Sequence, residues 1–213
     1  MRVVSIFLLS LFVWSTASWA CVLPREESRY QVEHEAFGSI GEEALTLHCV
    51  GDQLVVNRRI DVNVHILFMT AYHRDAHYTE VWQGDRLVRF ESETNDNGQQ
   101  STLVVRAAAS GTMIIDGPDG QSEVPETAIP TDPWNQRIVE RGLQFDRTNG
   151  DLMEVSVVDA GDDVIEIQGR MIPARKFILS GMRHQELWFD SAGTWIKSKI
   201  MHGTGTITIT RIN

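Results

Sequence analysis

Apolar and polar residues alternate along most of the chain. In Ile60-Asp61-Val62-Asn63-Val64-His65-Ile66-Leu67-Phe68 the even positions are apolar and the odd ones largely polar, which is the period of a strand with one buried face. Leu103, Val105 and Ala107 repeat the pattern, as do Ile165 with Ile167 and Ile207 with Ile209. The threonines beside Ile207 and Ile209 point the other way and favour extended backbone. Turn signals separate these runs: Gly38-Ser39-Ile40-Gly41, Gly51-Asp52, Gly84-Asp85, Asn95-Asp96-Asn97-Gly98, Asp119-Gly120, Asn149-Gly150, Gly161-Asp162 and Ser191-Ala192-Gly193. Such pairs supply the positive φ of tight hairpins, so the pattern predicts about 11 to 13 strands in an antiparallel meander.

One segment has a different period. Asp132 is a candidate N-cap, Pro133 suits the first helical position and Gly142 suits a stop, which predicts a short helix over 133–141. Trp134, Ile138 and Arg141 then share a face. A sheet of about a dozen strands rarely stays flat. The expected fold is therefore mainly β: a strongly curved antiparallel sheet, a half-barrel or partial barrel, with the helix plugging its mouth or lying in its concave face. No repeat or composition shift marks a second domain, so residues 21–213 read as one β-rich unit.

The amino terminus carries an address. Arg2 is followed by an apolar run from Val3 to Trp14, and Ser18 and Ala20 occupy the −3 and −1 positions of a cut before Cys21. That is a cleaved signal peptide over residues 1–20, its apolar core too short to span a bilayer. No later stretch is long enough either, so the mature chain has no transmembrane segment and belongs in the periplasm or outside the cell. Ser18 and Trp19 match a lipoprotein signal poorly, which leaves lipid anchoring at Cys21 the lesser alternative. Cys49 is the other cysteine, and in an oxidising compartment the pair suggests a Cys21–Cys49 disulfide; Cys49 as a small buried residue is the other reading.

The formal charge of −10 becomes −11 without Arg2. So acidic a chain repels phosphate backbones, which argues against nucleic acid as a partner and against charge-driven binding to anionic lipid. Candidate chemistry is thin. His73, His77 and Glu80 are the most suggestive group, but on an extended strand the two imidazoles stand roughly 13 Å apart. The segment reads as a polar strand-to-strand corner, and neither a metal nor another cofactor is expected there. His34, His48, His65, His184 and His202 are scattered singly. No nucleophile elbow, Ser-x-x-Lys pair or phosphate-cradling glycine loop is present, so no catalytic residue is assigned. The aromatic stock says more: Trp82, Trp134, Trp188, Phe68 and Phe177, with Ile138 from the helix, are either ordinary core or the lining of an apolar cavity.

At Glu80-Val81-Trp82-Gln83-Gly84-Asp85-Arg86-Leu87, Thr94-Asn95-Asp96-Asn97-Gly98 and Trp188-Phe189-Asp190-Ser191-Ala192-Gly193-Thr194-Trp195, the chain resembles a family of uncharacterised bacterial exported β-rich proteins, a domain of unknown function covering nearly all of the mature chain. More distantly it is similar to periplasmic half-barrel proteins, some of which carry lipids or lipoproteins. The resemblance implies an apolar groove and supplies no catalytic residue. Three expectations follow. The first is a non-enzymatic binding module of the Gram-negative envelope for a lipid or other apolar or amphiphilic molecule. The second is a structural or interaction module with a filled core and an envelope protein as partner. The third is an enzyme built near His73–Glu80.

Overall fold

Six of the eight turn signals join strands that pair with each other. The computed structural model describes residues 21, 25–66, 68–134, 136–181, 183–203 and 205–213; the signal-peptide reading of residues 1–20 lies outside the described residues. In chain order come β1 (Glu26–His34), β2 (Gly38–Val50), β3 (Gln53–Ile66), β4 (Met69–Gln83), β5 (Arg86–Asp96), β6 (Gln99–Ala107), β7 (Thr112–Gly117) and β8 (Gly120–Pro125). An insert follows, with β9 (Ile129–Pro130), α1 (Arg137–Glu140), β10 (Leu143–Phe145) and β11 (Leu152–Glu154). The chain then finishes with β12 (Ser156–Ile167), β13 (Arg170–Ser180), β14 (His184–Asp190), β15 (Trp195–His202) and β16 (Gly205–Arg211).

Thirteen of these strands form one sheet in the order β12-β13-β14-β15-β16-β1-β2-β3-β4-β5-β6-β7-β8, while β11-β10-β9 make a small sheet inside the insert. Every neighbour in the large sheet is antiparallel. The first strand pairs with the last, Tyr30 opposite Arg211 through His34 opposite Ile207, which zips two meanders into one sheet. The sheet does not close: β8 and β12 are its two edges.

Laid flat, thirteen strands at about 4.8 Å spacing would span roughly 60 Å. Yet Tyr30 and Val32 of β1, Tyr78 of β4, Leu103 of β6, Val124 of β8, Leu187 and Phe189 of β14 and Ile209 of β16 share one buried core. Only a strongly curved sheet brings them together, which is the predicted architecture. The insert fills part of the concave face, where Trp134, Ile138 and Phe145 join the same core.

Three local expectations need correction. The helix is one turn, Arg137–Glu140, not 133–141. Its predicted cap, Asp132, is buried and bonded to Arg58 of β3 instead, which is a stronger claim on the carboxylate than an orphan backbone N–H. Gly38–Gly41 is not a turn, because β2 begins at Gly38 and residues 35–37 make the reversal. Gly41 lies within β2, where a Cβ would sit 2.0 Å from the Asp61 carbonyl oxygen, so its role is close approach of β3. Gly161 likewise sits inside β12, at a register shift with φ +88°, and forms a bulge.

On the sheet's other face, Ile165, Ala174, Trp188 and Ile196 form a second small cluster. Trp188 donates its indole N–H to Asp163 at 2.7 Å and lies beside Lys176 and Lys197. Cys21 is joined to Cys49 near the end of β2, with a Cα–Cα separation of 5.6 Å.

Candidate functional site

The interior under the curved sheet has two ends. At the end where β4 runs into Gly84, the insert packs tightly. Trp82 meets Trp134 edge-on with centroids 6.1 Å apart, and Phe90 meets Phe145 at 5.4 Å. A chain of charges runs through this packed half. Arg58, buried, donates to Glu43 and Asp132 and lies 4.7 Å above the Trp195 ring. Its guanidinium is held above its ordinary range: burial opposes the charge, and the two carboxylates overcome that opposition. Arg147 stands 3.6 Å from the other oxygen of Asp132 and 4.9 Å over Tyr78.

Glu80 is the odd member. It accepts the indole N–H groups of Trp82 at 2.6 Å and Trp134 at 2.8 Å, both on Oε2, and its Oε1 has no hydrogen-bond partner. Burial pushes its carboxyl up to about 8, nearby Asp132 adds to the rise, and the indoles and Arg58 pull against it. Glu43 and Asp132 already match Arg58 and Arg147, so a third carboxylate has no cation left. The interior therefore favours the protonated form of Glu80 over the charged one.

At the other end the insert leaves space. A cavity of about 420 Å³ lies between sheet and insert, within the range of small-molecule sites. Its wall is aliphatic, including Val32, Ile60, Val62, Val64, Ile207 and Ile209 from β1, β3 and β16. The insert supplies polar lining through Gln144, Asp146, Arg147 and Thr148, and Glu43 of β2 faces it too. Arg74 ties sheet to insert here, bonded to Asp96 at 2.7 Å and to Thr148 at 3.1 Å. The lining residues that are exposed (Phe37, Ile66, Ala71, Gly181 and Arg183) all lie at one end of the strands, which fixes the mouth. A second depression, lined by Asp162, Asp163, Arg175, Phe177 and Asp190, is more open to solvent and has no comparable apolar wall.

Of the residues named from the sequence as single histidines or possible lining, His34 lines the main cavity, whereas Trp82, Trp134, Trp188, Phe68, Phe177 and Ile138 do not. Trp82, Trp134 and Ile138 come together as filled core. Trp188 is on the opposite face, and Phe177 packs on Phe189 at 6.0 Å beside the second depression. Phe68, expected inward by alternation, is fully exposed: β3 ends at Ile66, and a register shift after Val64 breaks the period. His73 and His77 lie within β4 rather than at a corner, with His73 bonded to Asn63 at 2.8 Å. Glu80, three residues after His77, has the opposite parity and points inward, so the three do not assemble. Among the described residues no cluster of three or more His, Cys, Asp or Glu could hold a metal ion.

Ile60, Val62, Val64, Ile207 and Ile209, which form the cavity wall, read in the sequence only as alternating strand positions. A usable signal was present: Ile60, Val62, Val64, Ile207 and Ile209 are all aliphatic, whereas the filled end is aromatic. Side chains of that size do not reach across a curved sheet.

Fold and cavity together define an open, barrel-like β protein with a partly hollow interior. The chain belongs to the family described as Domain of unknown function (DUF6134), whose model matches residues 30–212. Among solved structures it is similar to a beta-barrel-like protein of domain of unknown function DUF1849 from Brucella abortus, with a TM-score of 0.65 at 10% identity, covering 89% of this chain and 96% of that one. At that identity the likeness is one of fold alone. A match to LprF from Mycobacterium bovis has a TM-score of 0.31 at 11% identity over 89% of this chain and 85% of that one, too distant to carry an argument. No curated protein matches the sequence. Among the described residues no helix is long and apolar enough to cross a membrane.

Proposed function

We propose that this protein is an exported binding module that holds an amphiphilic small molecule, its apolar part against the β1–β3–β16 wall and its polar part at the mouth. The observation that carries the reading is the aliphatic cavity left beside a tightly packed insert. About 420 Å³ is the volume of roughly 14 water molecules, and water gains few hydrogen bonds from such a wall. An apolar chain fits it better. At the mouth, Arg183 pairs with Asp146 at 3.9 Å and keeps its side chain 57% exposed, so a polar head meets both members of an ion pair there. Export to an oxidising compartment is supported by the amino-terminal address and by the Cys21–Cys49 bridge.

Native mass spectrometry of protein purified from a bacterial periplasm without detergent tests this. The expected result is a chain beginning at Cys21 that carries a reproducible extra mass extractable into organic solvent. Val62→Phe, which fills the cavity from its wall, should lose that mass while staying folded. A bare mass for the unmodified protein, persisting after incubation with a total lipid extract, overturns the reading.

A further inference from the structure

The mouth of the cavity has an unusual rim. Four connections meet there: β1 to β2 at residues 35–37, β3 to β4 around Phe68, β13 to β14 around Arg183, and β15 to β16 around Gly203. The pairing register sets how far each projects. β4 begins at Met69 but pairs with β5 only from Arg74, opposite Asp96, so the β3–β4 hairpin outreaches β5 beside it. At its tip Phe68 is 101% exposed and Met69 74%, with Ile66 at 48%; on the neighbouring connection Phe37 is 48% exposed. Single exposed apolar residues are ordinary, but four on adjacent connections beside one opening are not.

Charge sets the same rim apart. The chain has 29 acidic residues and a net charge of −10, yet residues 34–38, 64–71, 180–185 and 200–206 contain a single acid, Glu35. Arg183, His34, His65 and His184 lie in the same segments. An apolar tip flanked by cationic and titratable groups, on an otherwise acidic body, is what a lipid–water interface accepts; elsewhere the body's charge keeps it off. The shape argues likewise. A second protein must present a pocket for a projecting phenylalanine, whereas a fluid acyl phase needs none.

We infer that this rim is a membrane-contact surface, in which Phe68 and Met69 insert into the outer part of a lipid bilayer and set the cavity mouth against it. An amphiphile then passes between bilayer and cavity without its apolar part crossing water. The inference goes beyond the binding reading and fails separately from it, since a ligand can co-purify with a protein that ignores vesicles.

The test is flotation of the exported chain with phosphatidylcholine vesicles and with vesicles containing phosphatidylglycerol. The double variant Phe68→Ser/Met69→Ser should keep the unmodified melting temperature, because neither side chain is buried. It should lower the vesicle-bound fraction about tenfold or more, from the apolar area no longer inserted. The control Val50→Ser/Met171→Ser removes two exposed apolar residues from the opposite end of the strands and should float like the unmodified chain. Failure of the unmodified chain to float with either vesicle overturns the inference. So does equal flotation of the Phe68→Ser/Met69→Ser variant, which assigns binding to another surface, or equal loss from the control, which assigns it to general apolar exposure.

Discussion

At one end of the concave face Trp82 packs on Trp134, Phe90 on Phe145 and Arg58 between two carboxylates; at the other, Val62, Val64, Ile207 and Ile209 face a void. The same sheet and insert make both ends, and the difference lies in side-chain reach. Large aromatic and guanidinium groups span the gap between sheet and insert, and short aliphatic ones do not. Filling the packed end required charged residues to be buried, and burial is tolerable there because each charge has a partner and the protonated form of Glu80 is favoured. At the hollow end Arg74, bonded to Asp96 and Thr148, also ties sheet to insert, but at the edge of the space rather than through it. The two ends therefore differ in what fills the gap between sheet and insert.

The comparison can be broken most sharply at Arg58. Arg58→Ala should cost about 3–5 kcal/mol, or prevent folding, because Glu43 and Asp132 would remain buried without their cation. Equilibrium urea denaturation reads this, and a loss under about 1 kcal/mol would mean the charge chain does not anchor the packed end.

A matched pair of truncations compares the two ends directly. Leu87, buried opposite Trp82 where β4 turns into β5, should cost about 3 kcal/mol as Leu87→Ala. Ile207→Ala, on a wall that already borders space, should cost under about 1 kcal/mol, since little new cavity is made. Equal costs would show that the hollow end is as tightly packed as the other in solution.

The smallest effect concerns pH. Glu80 has a folded value of about 8 against an ordinary 4.5. Its contribution to stability is therefore complete below about pH 4.5 and declines as pH rises through 8, where the buried carboxyl must ionise. Glu80→Gln keeps an acceptor for both indoles without the proton. It should flatten stability between about pH 4.5 and 8 (the window spanned by those two values), and make the variant at least as stable as the parent at pH 9. Denaturation midpoints across that range and at pH 9 would show it; an unchanged slope would mean another group governs alkaline stability.

Much of the architecture could be read in the sequence because it is local. Period-2 alternation reports which way a side chain faces, and Asn-Gly or Gly-Asp pairs report where the chain reverses, so the antiparallel meander and its curvature were accessible. Gly41 and Gly161 misled because glycine serves close approach and bulges as readily as turns. Asp132 misled because its partner, Arg58, lies 74 residues away in sequence. The cavity was hidden for a related reason: alternation says that Val62 and Ile207 point inward, and is silent on whether anything meets them. The tryptophans attracted attention as cavity lining, and their size is what made them core.

The pairing of β1 with β16 also bears on how the chain must be assembled. Each meander, β1 to β8 and β12 to β16, is a run of hairpins between sequence neighbours that can form as the chain is synthesised, amino-terminal end first. The seam between them joins Tyr30 to Arg211. Until Gly205–Arg211 has arrived, the first meander keeps an unzipped flank at β1 and the concave face lacks part of its wall. Long-range closures of this kind are slow and leave strand edges exposed to wrong partners. The last strand to be made is thus the one that completes the wall, and a chain without it has no enclosed interior.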